Sequence, residues 1–531
     1  MKRNPLIYSS LVIVLMTIAG CKKSFLDQQP YNANIVQSEF YTTVDQCNNS
    51  TKVAYRFVDW DSWWQTQNWR FLAGEAASDN AWIGNTYQST HASWDAVAHY
   101  TIDAGNDRAE GHWVMLYKAI GIWNSTIEGI TGSSIDENSK KQFIAELKFL
   151  RAWNYFDLAR NWGGVPIVTK VLSPNEHVAR STIKEVYDFI INDLKEASAV
   201  LPKKSQYPAT DRSRASRGAA LTLLAKAYLY AEDWTNAEAT AKQVIDLGDY
   251  SLENSFGNLW SYTYKNGAES IFEVQNASSQ QPALPANGYV IPMNSVADGG
   301  WGYISVTSDL ENAFKSEGDS IRLQWTINRH GLPVIGDANT PKFDGRPFTG
   351  TTTPVQSKSG RFSRKRYVPK SQRPANGLYA LNDMILRFAD VLLIHAEAAA
   401  MHNHTSEALS SLKKIRDRVS LTTDMTLTGS NLINAVRKER RLELALEGDR
   451  LYDLRRWKDQ SGKPVISSVF GPNGSFVKYN TVTSTDFFEK NNLTEPQNKG
   501  FNFNEAVHML WPIPNSEVVA SEGVVTQNPG Y

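Results

Sequence analysis

The sequence predicts an all-α dominated chain, a helical repeat superhelix of about four helix pairs with a long loop-rich insertion containing short β-strands. Three observations predict it. Apolar residues recur at helical spacing through two blocks, about Glu110 to Leu247 and about Asp383 to Trp457. One pattern occurs in both: Leu221, Ala225, Ala237, Ala241 and Val244 are separated by four, twelve, four and three residues, and Leu392, Ala396, Ala408, Leu412 and Ile415 repeat that spacing. Between the blocks, Gly248 to Asn382 carries most of the turn chemistry, with Asn287-Gly288, Asp298-Gly299-Gly300, Pro285 and Pro292.

The first element in order is a leader. Lys2 and Arg3 precede a mostly apolar stretch, Leu6 to Ala19, and small residues lead into Cys21. The stretch is far short of the ~20 residues of a spanning helix. Residues 1–20 therefore read as a secretory signal peptide, with Cys21 as the lipid anchor of the mature chain. Residues 21–109 read as the anchor, an N-terminal tether and a loop region. With Cys21 acylated, Cys47 has no partner, so no disulfide is expected.

Residues 110–247 read as N-terminal helical repeats, with helices over Glu110–Thr131, Ser139–Asn161, Ile183–Leu201, Arg217–Glu232 and Thr235–Leu247. Small residues at Ala225 and Ala237 let two antiparallel helices approach closely, and Tyr228 follows Ala225 as Tyr155 follows Ala152. The set resembles the tetratricopeptide repeat. Residues 248–382 read as a loop-rich insertion on the ligand-binding side, with β-prone pieces at Ser270–Val274 and Arg366–Val368. Residues 383–458 read as C-terminal repeats, Met384–His402, Ser406–Val419 and Leu432–Trp457, and residues 459–531 as an irregular C-terminal segment.

The last of these helices holds the most informative run. At helical spacing Ile433, Val436, Arg440, Leu444, Glu447, Leu451 and Leu454 share one face, which places charges among apolar neighbours. Partly buried charges need partners. Arg440, Glu443, Glu447, Arg450 and Asp453 are therefore expected to form a structural ion-pair network, with Arg440–Glu443, Glu447–Arg450 and Arg450–Asp453 at permissive spacing.

The run from Glu439 to Trp457, ERRLELALEGDRLYDLRRW, resembles the C-terminal signature of the SusD/RagB family of outer-membrane nutrient-binding lipoproteins of Bacteroidetes. Ser24-Phe25-Leu26-Asp27 with Pro30, Asn161-Trp162-Gly163-Gly164-Val165-Pro166, and His508-Met509-Leu510-Trp511-Pro512-Ile513-Pro514 resemble the family at three further points. The resemblance implies helical repeats split by an insertion. It also implies a lipid-anchored protein of the cell outer membrane, facing outside, that hands a nutrient to a SusC-type TonB-dependent outer-membrane transporter. Lys22 and Lys23 follow Cys21 where exported members usually carry acidic residues.

The composition agrees with a sugar-binding role. The 55 basic and 55 acidic residues cancel, so no nucleic-acid partner is expected. Aromatic residues make up 11%, including 16 Trp and 22 Tyr, and several Trp lie in Gly- and Asn-rich segments where no periodic core face runs. Flat aromatic faces suit sugar rings. Two stretches combine them with amides and carboxylates: Ser78 to Tyr87, with Asp79, Asn80 and Trp82, and Tyr289 to Tyr303, with Trp301 between two glycines. Ligand-binding candidates are therefore Trp82, Trp301, Tyr289, Tyr303, Asp79 and Asn80, each opposed by the plain reading of an aromatic or polar group that packs under its own loop.

Catalysis is not expected. The sequence holds no G-x-S-x-G elbow, no H-E-x-x-H helix and no phosphate-binding glycine loop. His402-Asn403-His404 resembles a metal fragment, but a turn between helices accounts for it, and the metal content is left open. No cofactor is expected. The reading is an oligosaccharide-binding lipoprotein. A peptide ligand, a protein–protein scaffold and a glycan hydrolase are the alternatives.

Overall fold

The computed structural model describes residues 40–59, 66–83, 92–277, 300–337, 359–479 and 498–531. The leader, the Cys21 anchor and Tyr289 lie outside the described residues. Cys47 is buried and free. Among the described residues, no helix is long and apolar enough to cross a membrane.

Among the described residues, nine helices carry the scaffold: α1 Asp107–Thr131, α2 Glu137–Trp162, α3 Ile183–Val200, α4 Arg217–Tyr230, α5 Trp234–Asp246, α6 Phe388–Met401, α7 Thr405–Arg418, α8 Gly429–Glu443 and α9 Arg450–Arg456. Local chemistry sets their ends. Asn106 caps α1 by accepting from the N–H groups of Arg108 and Ala109, and Asp136 does the same for α2. Thr182 and Glu185 form a reciprocal capping box at α3.

From α1 to α7 each helix packs on the next, α5 meeting α6 directly across the insertion, and α8 then packs on α6 and α7. This is the stacked-pair architecture expected from the repeat. The alanines that suggested it, Ala225, Ala237, Ala241, Ala396 and Ala408, are fully buried. A side chain larger than a methyl at these positions would force the helix axes apart. Helix α2 is enclosed along its second half: from Phe149 to Trp162 every residue is buried, with α1 and α3 packed on it.

The structure departs from the expected elements in three places. Met384 does not begin a helix. Asp383–Arg387 is strand β6, paired antiparallel with β2 (Ser270–Val274), and α6 starts only at Phe388. Arg366–Val368 is not a strand, since Tyr367 N–H closes a turn onto the Arg364 carbonyl. The helix expected over Leu432–Trp457 breaks after Glu443. Leu446 and Gly448 take φ of +63° and +98°, a left-handed conformation that ends α8 and redirects α9.

The remaining strands are short. β1 (Ala81–Ile83) pairs with β3 (Ile304–Val306), and β4 (Ile327–Arg329) with β5 (Arg361–Ser363), both antiparallel. β1–β3 matters most here, because it ties the region before α1 to the insertion, with Trp82 opposite Ser305 and Ile83 opposite Ile304.

Candidate functional site

The charged residues of the run Arg437–Trp457 form a buried lattice, and its partners come from distant elements. Glu443, fully buried, accepts from Arg387 at 2.6 Å, from Arg322 at 3.0 Å and from Arg418. Glu447 accepts from Arg387 Nε at 2.8 Å and from Lys365 at 2.6 Å. Arg440 donates to Asp390 at 2.6 Å and to Asp453 at 2.9 Å, and Asp453 also holds Arg456. Burial alone would raise the Glu443 carboxyl, but the guanidiniums of Arg418, Arg387 and Arg322 outweigh it and hold the group well below the usual carboxylate range.

The three local pairs expected by spacing are therefore replaced. Arg440 turns to Asp390 and Asp453 instead of Glu443, and Glu447 to Arg387 and Lys365 instead of Arg450. Arg450 turns to Asp79 instead of Asp453. The break at Leu446–Gly448 separates Glu447 from Arg450, while Arg440 within α8 and Arg450 within α9 reach carboxylates on other elements.

Arg450 and Arg441 hold the chain just before β1. The Asp79 carboxylate accepts from Arg450 Nε and Nη2, each at 2.8 Å, and from Arg441 at 3.2 Å. Asn80 accepts from Arg441 Nε at 3.0 Å and donates to Glu75 at 2.9 Å. The Gly448 N–H reaches the other oxygen of Glu75 at 2.7 Å. Thr307, directly after β3, donates its N–H to the Asn80 carbonyl and its hydroxyl to that of Asp79.

This corrects the expectation for three candidates. Asp79 and Asn80 are 4% and 1% exposed, and their polar atoms are spent on the clamp. Trp82, 1% exposed, lies between Phe476 and the Lys499 ammonium, which sits 5.3 Å from its ring centroid while donating to the Ala76, Ser78 and Ala81 carbonyls. An indole enclosed in this way presents no face to a ligand. The three residues frame the site from within.

The frame ends on an aromatic corner. Immediately before β3, Trp301 and Tyr303 are half-buried, with ring centroids 5.4 Å apart and planes at 50°. Between them Gly302 takes φ of +65°, which turns the chain so that the two rings meet. Tyr303 stands edge-on to buried Trp94 at 5.1 Å, and the Arg108 guanidinium lies 5.7 Å over the Trp94 ring. Burial raises the Tyr303 hydroxyl, so it remains a neutral donor and acceptor at neutral pH.

The sequence reading missed Trp94 and Arg108. Trp94 sits in an Ala- and Ser-rich stretch that carried a weak aromatic signal, and nothing local places it under Tyr303. Two half-open rings at an angle, one of them carrying the phenol hydroxyl, can pack on the C–H face of a sugar and hydrogen-bond its hydroxyls.

Other features fit a ligand or a reaction less well. A groove of about 610 Å³ opens between α2, α9 and the C-terminal segment. Among its arginines, Arg180 donates to the Gly164 and Thr526 carbonyls, and Arg455 donates Nη2 to that of His508 and stacks on Trp511 at 4.4 Å, while its Nε and Nη1 are buried with no hydrogen-bond partner among the described residues. Glu75 is the carboxyl whose poise suits proton transfer, since burial pushes it up to about 7, but it is fully enclosed and both its oxygens are bonded.

Comparison with known proteins follows the same lines. Residues 268–531 match the model of the SusD family, and residues 24–229 match a second model of that group, described as starch-binding and associating with the outer membrane. SusD-like protein P2 of Formosa agariphila is 28% identical, covering 98% of this chain and 99% of its own. A SusD-like protein from Bacteroides fragilis superposes with a TM-score of 0.74 at 24% identity, covering 94% of this chain and 99% of that one. Surface glycan-binding protein A from Bacteroides thetaiotaomicron, solved in complex with laminarihexaose, superposes with a TM-score of 0.71 at 21% identity, covering 91% and 99%. These two structural likenesses concern the fold.

Proposed function

This chain belongs to the SusD family, and from that membership we propose that it is an outer-membrane lipoprotein that binds an oligosaccharide and delivers it to a SusC-type TonB-dependent transporter. The observation that carries the sugar-binding reading is the half-open Trp301–Tyr303 pair, held in place by β1–β3. The relative solved with laminarihexaose supports a glycan as the ligand class. Cys21 supplies the anchor, and the outer face of the membrane is where a bound sugar meets a transporter mouth. The stacked helices present a broad, rigid surface that suits a partner barrel.

Binding without turnover is the reading the carboxylates favour. The acidic groups of the signature run are each held by arginine or lysine. A glycosidase needs two carboxyls with access to the sugar bond.

The test is a calorimetric titration of soluble protein spanning Lys22 to Tyr531 against a panel of plant, host and fungal oligosaccharides. Saturating heat without product supports the reading and names the glycan class. Product formation would replace it with a hydrolase. Silence across the panel would shift it to a peptide ligand or to a site completed by the transporter.

A further inference from the structure

The turn between α6 and α7 carries His402, Asn403 and His404. Asn403 takes φ of +62°, and the N–H groups of His402, Asn403 and His404 donate back to the carbonyls of Ala398, Ala400 and Ala399. This closes α6 tightly and brings both imidazoles out on one side, with centroids 5.4 Å apart. The sequence reading assigned the pair to a turn, and that turn is what makes the two rings converge.

Opposite them, Glu238 on α5 presents its carboxylate. His404 Nδ1 lies 2.9 Å from each Glu238 oxygen, and His402 Nδ1 lies 3.3 Å from Oε2. On its other side, His402 Nε2 lies 2.8 Å from the Thr235 hydroxyl, also on α5. Glu238 is 14% exposed and His404 57%, so the cluster is anchored on the protein side and reachable from solvent.

A carboxylate only accepts, so a ring nitrogen facing it must bear a proton or share a cation with it. Where Nε2–H donates to the Thr235 hydroxyl, the lone pair of the His402 Nδ1 faces the carboxylate, and a positive ion between them removes the repulsion. Bonds of about 2.0–2.1 Å in tetrahedral geometry put donor atoms about 3.3 Å apart. The observed separations of 2.9 and 3.3 Å are near that value, and the three donor atoms all lie within 4.8 Å of one another.

We propose that Glu238, His402 and His404 form a binding site for one divalent transition-metal ion of the zinc class, with water in the fourth position. Two imidazoles and one carboxylate select such an ion over calcium or magnesium, which take oxygen ligands. Thr235 is the outer partner of His402, 2.8 Å from its Nε2. Because α5 precedes the insertion and the α6–α7 turn follows it, the ion staples the two halves of the helical stack where the insertion leaves it. This proposal does not rest on the sugar-binding reading.

The test uses the full chain in detergent, without a polyhistidine tag, stripped by chelator and titrated with zinc sulfate in a calorimeter while Tm is followed. One equivalent bound, with a rise in Tm, is expected. His404→Ala and Glu238→Gln should abolish uptake, and Thr235→Ala should weaken it roughly tenfold. His404→Ala should leave the Tm of metal-free protein unchanged, because that ring is largely exposed. Cobalt(II) should give visible absorption bands that disappear in the same variants. Absence of saturable uptake, uptake that survives both ligand variants, or equal binding of calcium would overturn the proposal.

Discussion

Arg450 grips Asp79 through two parallel hydrogen bonds of 2.8 Å, from Nε and Nη2 to the two carboxylate oxygens. This fork-on-carboxylate arrangement is the strongest geometry an ion pair adopts. It joins the start of α9 to the residue two positions before β1, so the signature run sets the position of the strand whose partner, β3, leads back to Trp301 and Tyr303. Both side chains are nearly enclosed, at 10% and 6% exposure. Removing one partner leaves the other charge buried.

Arg450→Met is therefore expected to lower the unfolding free energy by about 3 kcal/mol, the low end for breaking a buried pair from one side, because Arg441 still reaches Asp79. Urea unfolding measures it. Adding Asp79→Asn should recover part of the loss, since the stranded charge is then gone. A loss below about 1 kcal/mol, the level of a surface pair, would show that the clamp does not position β1.

The two tryptophans of the site region should behave in opposite ways. Trp301→Ala is expected to weaken oligosaccharide binding by roughly tenfold or more, about 1.4 kcal/mol, with Tm nearly unchanged. Trp82→Ala should cost about 3–5 kcal/mol of stability, as for a large core side chain. Calorimetry and thermal unfolding on the same samples separate the two. A large fall in Tm for Trp301→Ala would make that ring part of the core instead.

Glu75 gives a pH signature. Burial raises its carboxyl to about 7 in the folded chain from an ordinary 4.5, so the folded state holds the proton more tightly than the unfolded one. Its contribution to stability is fully present below about pH 4.5 and is lost as pH rises through about 7. Asp79 and Glu443 have the opposite sign. Burial opposes it, but neighbouring arginines hold both carboxyls low, so their stabilisation is present above their ordinary range and is lost in acid. Glu75→Gln is expected to flatten the decline in Tm between about pH 5 and pH 8 and to leave the acid limb intact. An unchanged neutral slope would mean that Glu75 is not the group responsible.

The repeat scaffold was legible because its signal is local. Ala225, Ala237, Ala396 and Ala408 sit at spacings dictated by helix geometry alone, and tertiary packing had only to agree. Charge burial was legible too: Arg440 and Glu447 among apolar neighbours demand partners. Which partners they take was not, because Asp390, Arg387 and Lys365 arrive from elements far along the chain. The Leu446–Gly448 break is hidden for a similar reason, since nearby Leu and Ala favour helix and only the close crossing against Gly74 requires the turn. Trp82 and Trp301 have similar neighbours in sequence. What separates them is Lys499, which covers the first ring and is visible only once the C-terminal segment is in place.

That crossing yields the last prediction. A Cβ on Gly74 would lie 2.2 Å from the Gly448 carbonyl oxygen, and one on Gly448 would lie 2.6 Å from Arg70 Cγ, so two backbone segments meet with no room for a methyl group. Gly74→Ala must push Gly448 away. The same shift withdraws the Gly448 N–H from Glu75 and drags Arg450 off Asp79. The expected loss is about 3 kcal/mol, the upper end for an overpacked site, together with weaker oligosaccharide binding although Gly74 touches no ligand. Gly121→Ala is the control. It lies inside α1 with nothing within 4 Å of the added carbon, so helix propensity alone should raise stability by about 1 kcal/mol and leave affinity unchanged. If the two alanines behaved alike, the α8–α9 break would be a loose turn, and the route from the signature run to the aromatic corner would have to run through other contacts.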